Sequence, residues 1–133
     1  MRIRLNWVGA ALLIVAVSLT PVLAGCGDDS VTNGTSNKAP NMPTDLSPAD
    51  GSTIGVGHAT LTWTCTDPDG DELTYDVHFA TDPDPRRVRE NLTVCSHQVY
   101  GLLPGDTYYW KVVARDPEGL ETGTEVVSFT VSP

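Results

Sequence analysis

The stretch TDPDGDELTYD sets Asp67, Asp69 and Asp71 on alternate positions, with Glu72 beside them. Carboxylate oxygens gathered in one loop are the ligand chemistry of calcium, a hard cation. The spacing does not match the helix–loop–helix calcium motif, which needs glycine after the third acid; here Gly70 precedes Asp71. The same residues also write a tight turn. Pro68 fixes φ, aspartate side chains accept from the local backbone, and Gly70 permits positive φ. The turn is the favoured reading, and calcium at Asp67, Asp69 and Asp71 is the secondary one.

Other residues with chemical potential are scattered. His58 and His78 fall at exposed or loop-edge positions, and His97 falls in a strand; no two share metal-ligand spacing. Ser96 and His97 are adjacent in a strand and so point to opposite faces, which rules them out as a nucleophile–base pair. Arg86, Arg87 and Arg89 form the one basic cluster. It reads as charge that protects a sheet edge, with docking of an acidic partner as the alternative. Asn91-Leu92-Thr93 is a formal glycosylation triplet, and no Arg-Gly-Asp occurs. No catalytic set, cofactor motif or nucleic-acid motif emerges, so an enzyme is not expected.

The elements that must position these residues alternate with period two. Leu61, Trp63 and Cys65 share one face against Thr60, Thr62 and Thr64. Leu73, Tyr75, Val77 and Phe79 oppose Thr74, Asp76 and His78. Tyr108, Trp110, Val112 and Ala114 oppose Tyr109, Lys111, Val113 and Arg115, and Val127, Phe129 and Val131 repeat the pattern. Such alternation, with threonine outside, predicts half-buried antiparallel strands. Turn formers separate them: Pro48-Ala49-Asp50-Gly51, Asp67-Pro68-Asp69-Gly70, Pro104-Gly105-Asp106 and Asp116-Pro117-Glu118-Gly119. About seven short strands in roughly 90 residues predict an all-β, two-sheet antiparallel sandwich.

The first 25 residues have a different character. Arg2 and Arg4 precede an apolar run from Val8 to Val17, then small residues Ala24 and Gly25. Positive, apolar and small regions in that order are those of a secretory signal. Leu23-Ala24-Gly25-Cys26 resembles the lipobox of bacterial lipoproteins. The resemblance implies transfer of a diacylglyceryl group to the Cys26 sulfur, cleavage before Cys26, and acylation of the new terminus with a palmitate-type chain. Two or more chains hold a soluble domain at a membrane where one holds weakly. Residues 26–42 are then the lipidated cysteine and a flexible tether, polar and poor in large apolar side chains. From Cys26 onward, six basic residues face all 17 acids, a net charge of −11. That surface repels nucleic acid and anionic lipid.

Residues 43–133 resemble a fibronectin type III domain, an immunoglobulin-like sandwich. Pro43 and Pro48 bracket the first strand, and Trp63 stands at the family's core tryptophan position. Gly101-Leu102-Leu103-Pro104-Gly105-Asp106-Thr107-Tyr108 resembles the turn that leads to the family's tyrosine corner, with Tyr108 as the corner residue. Tyr108, Trp110, Val112 and Ala114 match the sixth strand. Trp63, Leu102, Pro104, Tyr108 and Trp110 are thus the expected fold-defining residues. The resemblance places Cys65 and Cys95 on the core side of adjoining strands, where an exported protein is expected to bridge them. Lipidation of Cys26 accounts for the third cysteine.

Together these readings imply a bacterial cell-envelope lipoprotein, lipid-anchored and monomeric, leaning to the outer membrane because Gly27 rather than an acid follows Cys26. The domain is expected to be a non-catalytic module for a protein or glycan partner. The alternatives are a spacer with no specific ligand and an accessory to a surface glycan-degrading system.

Overall fold

In a computed structural model of the chain, residues 36–133 are described. The signal segment, Cys26 and most of the expected tether lie outside them. No helix among the described residues is long and apolar enough to cross a membrane.

Among the described residues nine strands follow in order: β1 Thr44–Ser47, β2 Ser52–Ile54, β3 Gly57–Thr64, β4 Thr74–Ala80, β5 Arg87–Leu92, β6 Ser96–Leu102, β7 Thr107–Arg115, β8 Glu121–Gly123 and β9 Val127–Val131. One sheet has the order β1-β3-β6. The other has the order β2-β9-β7-β4-β5, with β8 paired to β7. All pairs are antiparallel except β2 with β9. The fold is the expected all-β two-sheet sandwich. The strands beyond seven are the three-residue pieces β2 and β8, too short for an alternation signal.

The inward faces are those the period-two pattern selects. Leu61 and Trp63 come from β3, Tyr75 and Val77 from β4, and Val99 and Leu102 from β6. Tyr108, Trp110, Val112 and Ala114 come from β7, and Phe129 and Val131 from β9. Each large side chain buried here contributes roughly 1.5–3 kcal/mol by leaving water. Phe79 stacks on Tyr108 with ring centroids 5.2 Å apart, and Tyr108 on Phe129 at 5.9 Å. Trp63 meets Tyr75 edge-on at 5.4 Å.

The corner before β7 is built as the resemblance implies. The Leu103 N–H donates to the Tyr108 hydroxyl at 3.0 Å. Gly105 has φ +84, a left-handed conformation that a side chain would strain. Leu102 is buried, and Pro104 stays exposed in the turn.

The compact unit begins at Asn37, inside the segment expected as tether. Residues 37–41 are held to the domain's pole. The Asn37 side-chain amide donates to Asp116 at 2.7 Å, and the Lys38 N–H to Asp69 at 2.7 Å. Asn41 donates its backbone N–H to the Thr66 carbonyl at 3.0 Å and its side-chain amide to the Thr66 hydroxyl at 2.9 Å. Three of these five residues, Asn37, Lys38 and Asn41, thereby find fixed partners, which hydropathy alone does not reveal.

Candidate functional site

Two loops meet at this pole. One, between β3 and β4, carries Asp67, Asp69 and Asp71; the other, between β7 and β8, carries Asp116. One carboxylate oxygen from each of Asp67, Asp69 and Asp71 lies within 4.8 Å of the others. The loop is a turn organised by Asp67. Its Oδ1 accepts from the Asp69 N–H at 2.7 Å and the Asp71 N–H at 3.3 Å, and its carbonyl accepts from the Gly70 N–H at 3.1 Å. Asp67 Oδ2 is buried and makes no hydrogen bond among the described residues. Removal from water, then the negative charges of Asp67, Asp69 and Asp116, pushes the Asp71 carboxyl above its ordinary range. Asp116 goes the other way. Partial removal from water acts to raise it, but the Asn37 amide and the N–H groups of Leu120, Gly119 and Glu118 outweigh that and lower it. The three expected acids are therefore brought together: Asp67 accepts within the loop, and Asp69 receives the incoming chain at Lys38.

A second charged group lies on the outer face of the larger sheet, and the sequence pattern does not foretell it. Asp76 belongs to the outward set of β4, yet it is 3% exposed. Arg87 Nη1 and Arg115 Nη2 each reach its Oδ2 at 2.9 Å, and the Asn91 N–H donates to Oδ1 at 3.0 Å. Burial raises the Asp76 carboxyl; the Asn91 N–H and then the two guanidiniums outweigh it, so the group sits below its ordinary range. Arg87 also pairs with Glu90, and Arg115 with Glu121. Of the basic cluster, Arg87 thus serves the fold, and an edge-strand role fits β5, which has two register irregularities against β4. No signal in one sequence fixes the β4–β7 register that sets Asp76 beside Arg115.

An open concavity of about 450 Å³ is lined by Glu72, Thr74, Tyr75, Thr93, Arg115 and Asp116 among others. Its charged groups with assigned partners, Arg115 and Asp116, are engaged in the contacts just described.

The expected cysteine bridge needs correction: Cys65 and Cys95 are both free thiols. The register gives the reason. The Trp63 N–H donates to the Cys95 carbonyl at 3.2 Å, so Cys95 stands opposite Trp63 and Cys65 overshoots it by two residues. Diagonal neighbours of this kind lie about 7–8 Å apart, beyond the roughly 4.4–6.8 Å between Cα atoms that a bridge requires. Cys65 instead donates to the Asn41 carbonyl at 3.2 Å. Burial, then the neighbouring Cys95, pushes its thiol pKa up.

The histidines stay apart. His78 Nδ1 lies 3.2 Å from the Pro85 carbonyl oxygen, and His58 stacks on Tyr100 with centroids 5.9 Å apart. His97 titrates below its ordinary value, through burial first and Arg89 second. Tyr100, which the alternation argument passes over, is 69% exposed, while Tyr109 on the opposite sheet is half-buried.

No family model and no curated protein matches the sequence. Solved structures do. A fibronectin type III domain of the human fibronectin type III domain containing protein 3 is 21% identical, with TM-score 0.56 over 76% of this chain and 94% of that one. An Fn3-like protein from Clostridium thermocellum is 25% identical, with TM-score 0.53 over 72% and 97%. A human fourth FNIII domain is 19% identical, with TM-score 0.55 over 79% and 89%. With its tyrosine corner, core tryptophan and two-sheet strand order, the described part of the chain has the fibronectin type III fold.

Proposed function

We propose that this chain is a lipid-anchored bacterial envelope protein that holds one fibronectin type III sandwich at a membrane as a non-catalytic interaction module. The observation that carries the reading is the order of parts in the sequence: a secretory-type leader, the lipobox-like Leu23-Ala24-Gly25-Cys26, a polar segment, then a domain of a fold that serves widely as an interaction or spacer module. The geometry of the domain supports the non-catalytic part. Its buried Asp76 is paired with Arg87 and Arg115, and the turn acids Asp67 and Asp116 accept from their own backbone. A net charge of −11 from Cys26 onward keeps such a domain in solution and away from anionic lipid headgroups, so attachment falls to the acyl chains.

Metabolic labelling with a fatty-acid analogue tests this, comparing the natural chain with Cys26→Ser. Label and membrane association are expected to disappear together in the variant while the sandwich still folds. A labelled Cys26→Ser protein, or an unlabelled natural one still held at the membrane, overturns the reading. A spacer differs from a binder in one respect: a spacer tolerates charge reversal anywhere on the exposed strands without loss of function.

A further inference from the structure

The sandwich ends in four sheet edges, and three of them carry devices that discourage pairing. β1 is four residues long, lies between Pro43 and Pro48, and has a register irregularity against β3. β2 is three residues long. β5 carries Arg87, Arg89 and Glu90 and two irregularities. These are the usual protections of natural edges. β6 has none of them along its middle. Its seven residues, Ser-His-Gln-Val-Tyr-Gly-Leu, contain no proline and no Asp, Glu, Lys or Arg. Its pairing with β3 is regular from His58↔Tyr100 to Thr62↔Ser96. β3, the strand behind it, is also free of charged residues.

Hydrogen bonding along β6 follows from one contact. The Trp63 N–H reaches the Cys95 carbonyl, so Leu61↔His97 and Ala59↔Val99, two and four residues along, are the hydrogen-bonded pairs. The main-chain groups of Ser96, Gln98 and Tyr100 then point away from β3. Among the described residues no other strand lies on that side. Gln98 and Tyr100 are exposed.

We propose that this edge pairs with the β6 of a second copy of the chain, antiparallel about a two-fold axis at Gln98. The pattern is self-complementary. Gln98 faces Gln98 and Ser96 faces Tyr100, and all three use the main-chain groups left free. His97 and Val99 face each other at the positions between. Neither β6 carries Asp, Glu, Lys or Arg, so no formal charges oppose one another along the paired strands, whereas a net charge of −9 otherwise makes the chain repel its copy. The two three-stranded sheets become one of six strands. The inference departs from the expected monomer and is independent of the lipid anchor.

The test is cysteine cross-linking of the full chain in detergent, with one molecule or fewer per micelle. In Gln98→Cys the two thiols oppose each other across a hydrogen-bonded pair, about 5.5 Å between Cα atoms, inside the bridging range of roughly 4.4–6.8 Å. Under an added disulfide oxidant, which takes two electrons and two protons from the thiols, Gln98→Cys is expected to form a covalent dimer that the parent chain does not. Val88→Cys on β5 is expected to stay at the parent level. Adding Tyr100→Lys to Gln98→Cys is expected to abolish the cross-link, with the folded state checked by circular dichroism. A Gln98→Cys chain that folds and cross-links no more than the parent overturns the proposal. Equal cross-linking from Val88→Cys, or cross-linking that survives Tyr100→Lys, overturns it too.

Discussion

At the scale of single residues, Asp76 is the most heavily committed charge. It is buried, and two guanidiniums and a backbone N–H converge on it. Removing the carboxylate leaves Arg115 and the Asn91 N–H short of a partner. Asp76→Ala is therefore expected to cost about 3 kcal/mol in chemical denaturation, the scale for breaking a buried pair. Its titration has a definite sign. The unfolded carboxyl protonates near pH 3.9 or so, and the folded one does so lower. The stability it contributes is present above the unfolded value and is lost as pH falls through the folded one. Acid unfolding of the natural domain is expected below pH 4 or thereabouts, and Asp76→Asn should flatten that limb of the pH–stability curve. Cys65 makes a second residue-scale case. Its raised pKa leaves little thiolate at neutral pH. Alkylation of Cys65 by iodoacetamide at pH 7 is expected to be slower in the folded domain than after denaturation; equal rates would contradict the burial that protects it.

At the scale of elements, the tyrosine corner ties the turn to β7. Tyr108→Phe keeps the ring in its stack with Phe79 and Phe129 but leaves the Leu103 N–H without the hydroxyl. A loss of about 1 kcal/mol is expected, the net value of one hydrogen bond. Gly105→Ala strains a backbone at φ +84 and is expected to destabilise by a similar amount, about 1 kcal/mol. Thermal or urea unfolding reads both. The strands were legible because alternation reports burial directly: Leu61, Trp63, Tyr75, Val77 and Trp110 are inside as the pattern requires. The cysteine pair was not, because a two-residue difference in cross-strand register leaves every side chain on its expected face and still separates the thiols. Asp76 illustrates the same limit. Its outward direction is readable, but its burial depends on which arginines two other strands bring over it.

At the scale of the whole molecule, the acids of the candidate cation site organise a pole. Asp67 closes its own turn, Asp69 receives Lys38, and Asp116 receives Asn37. The pole is where the chain from residue 37 joins the sandwich. Sequence showed the acids and the turn; the docking of residues 37–41 depends on two loops converging, which no local pattern encodes. The other end of β3 carries the exposed His58, stacked on the exposed Tyr100 of β6, and the strand pair holds no Asp, Glu, Lys or Arg. On the proposed lipid anchor, copies would be confined to a surface, where neighbours meet at raised effective concentration. The proposed function rests on a hydrocarbon anchor, and the mass of the mature protein taken from membranes tests that anchor most directly. The account predicts a chain beginning at Cys26 with acyl groups added to its first residue. A mature chain with an unmodified Cys26, or one that retains the leader, would contradict it.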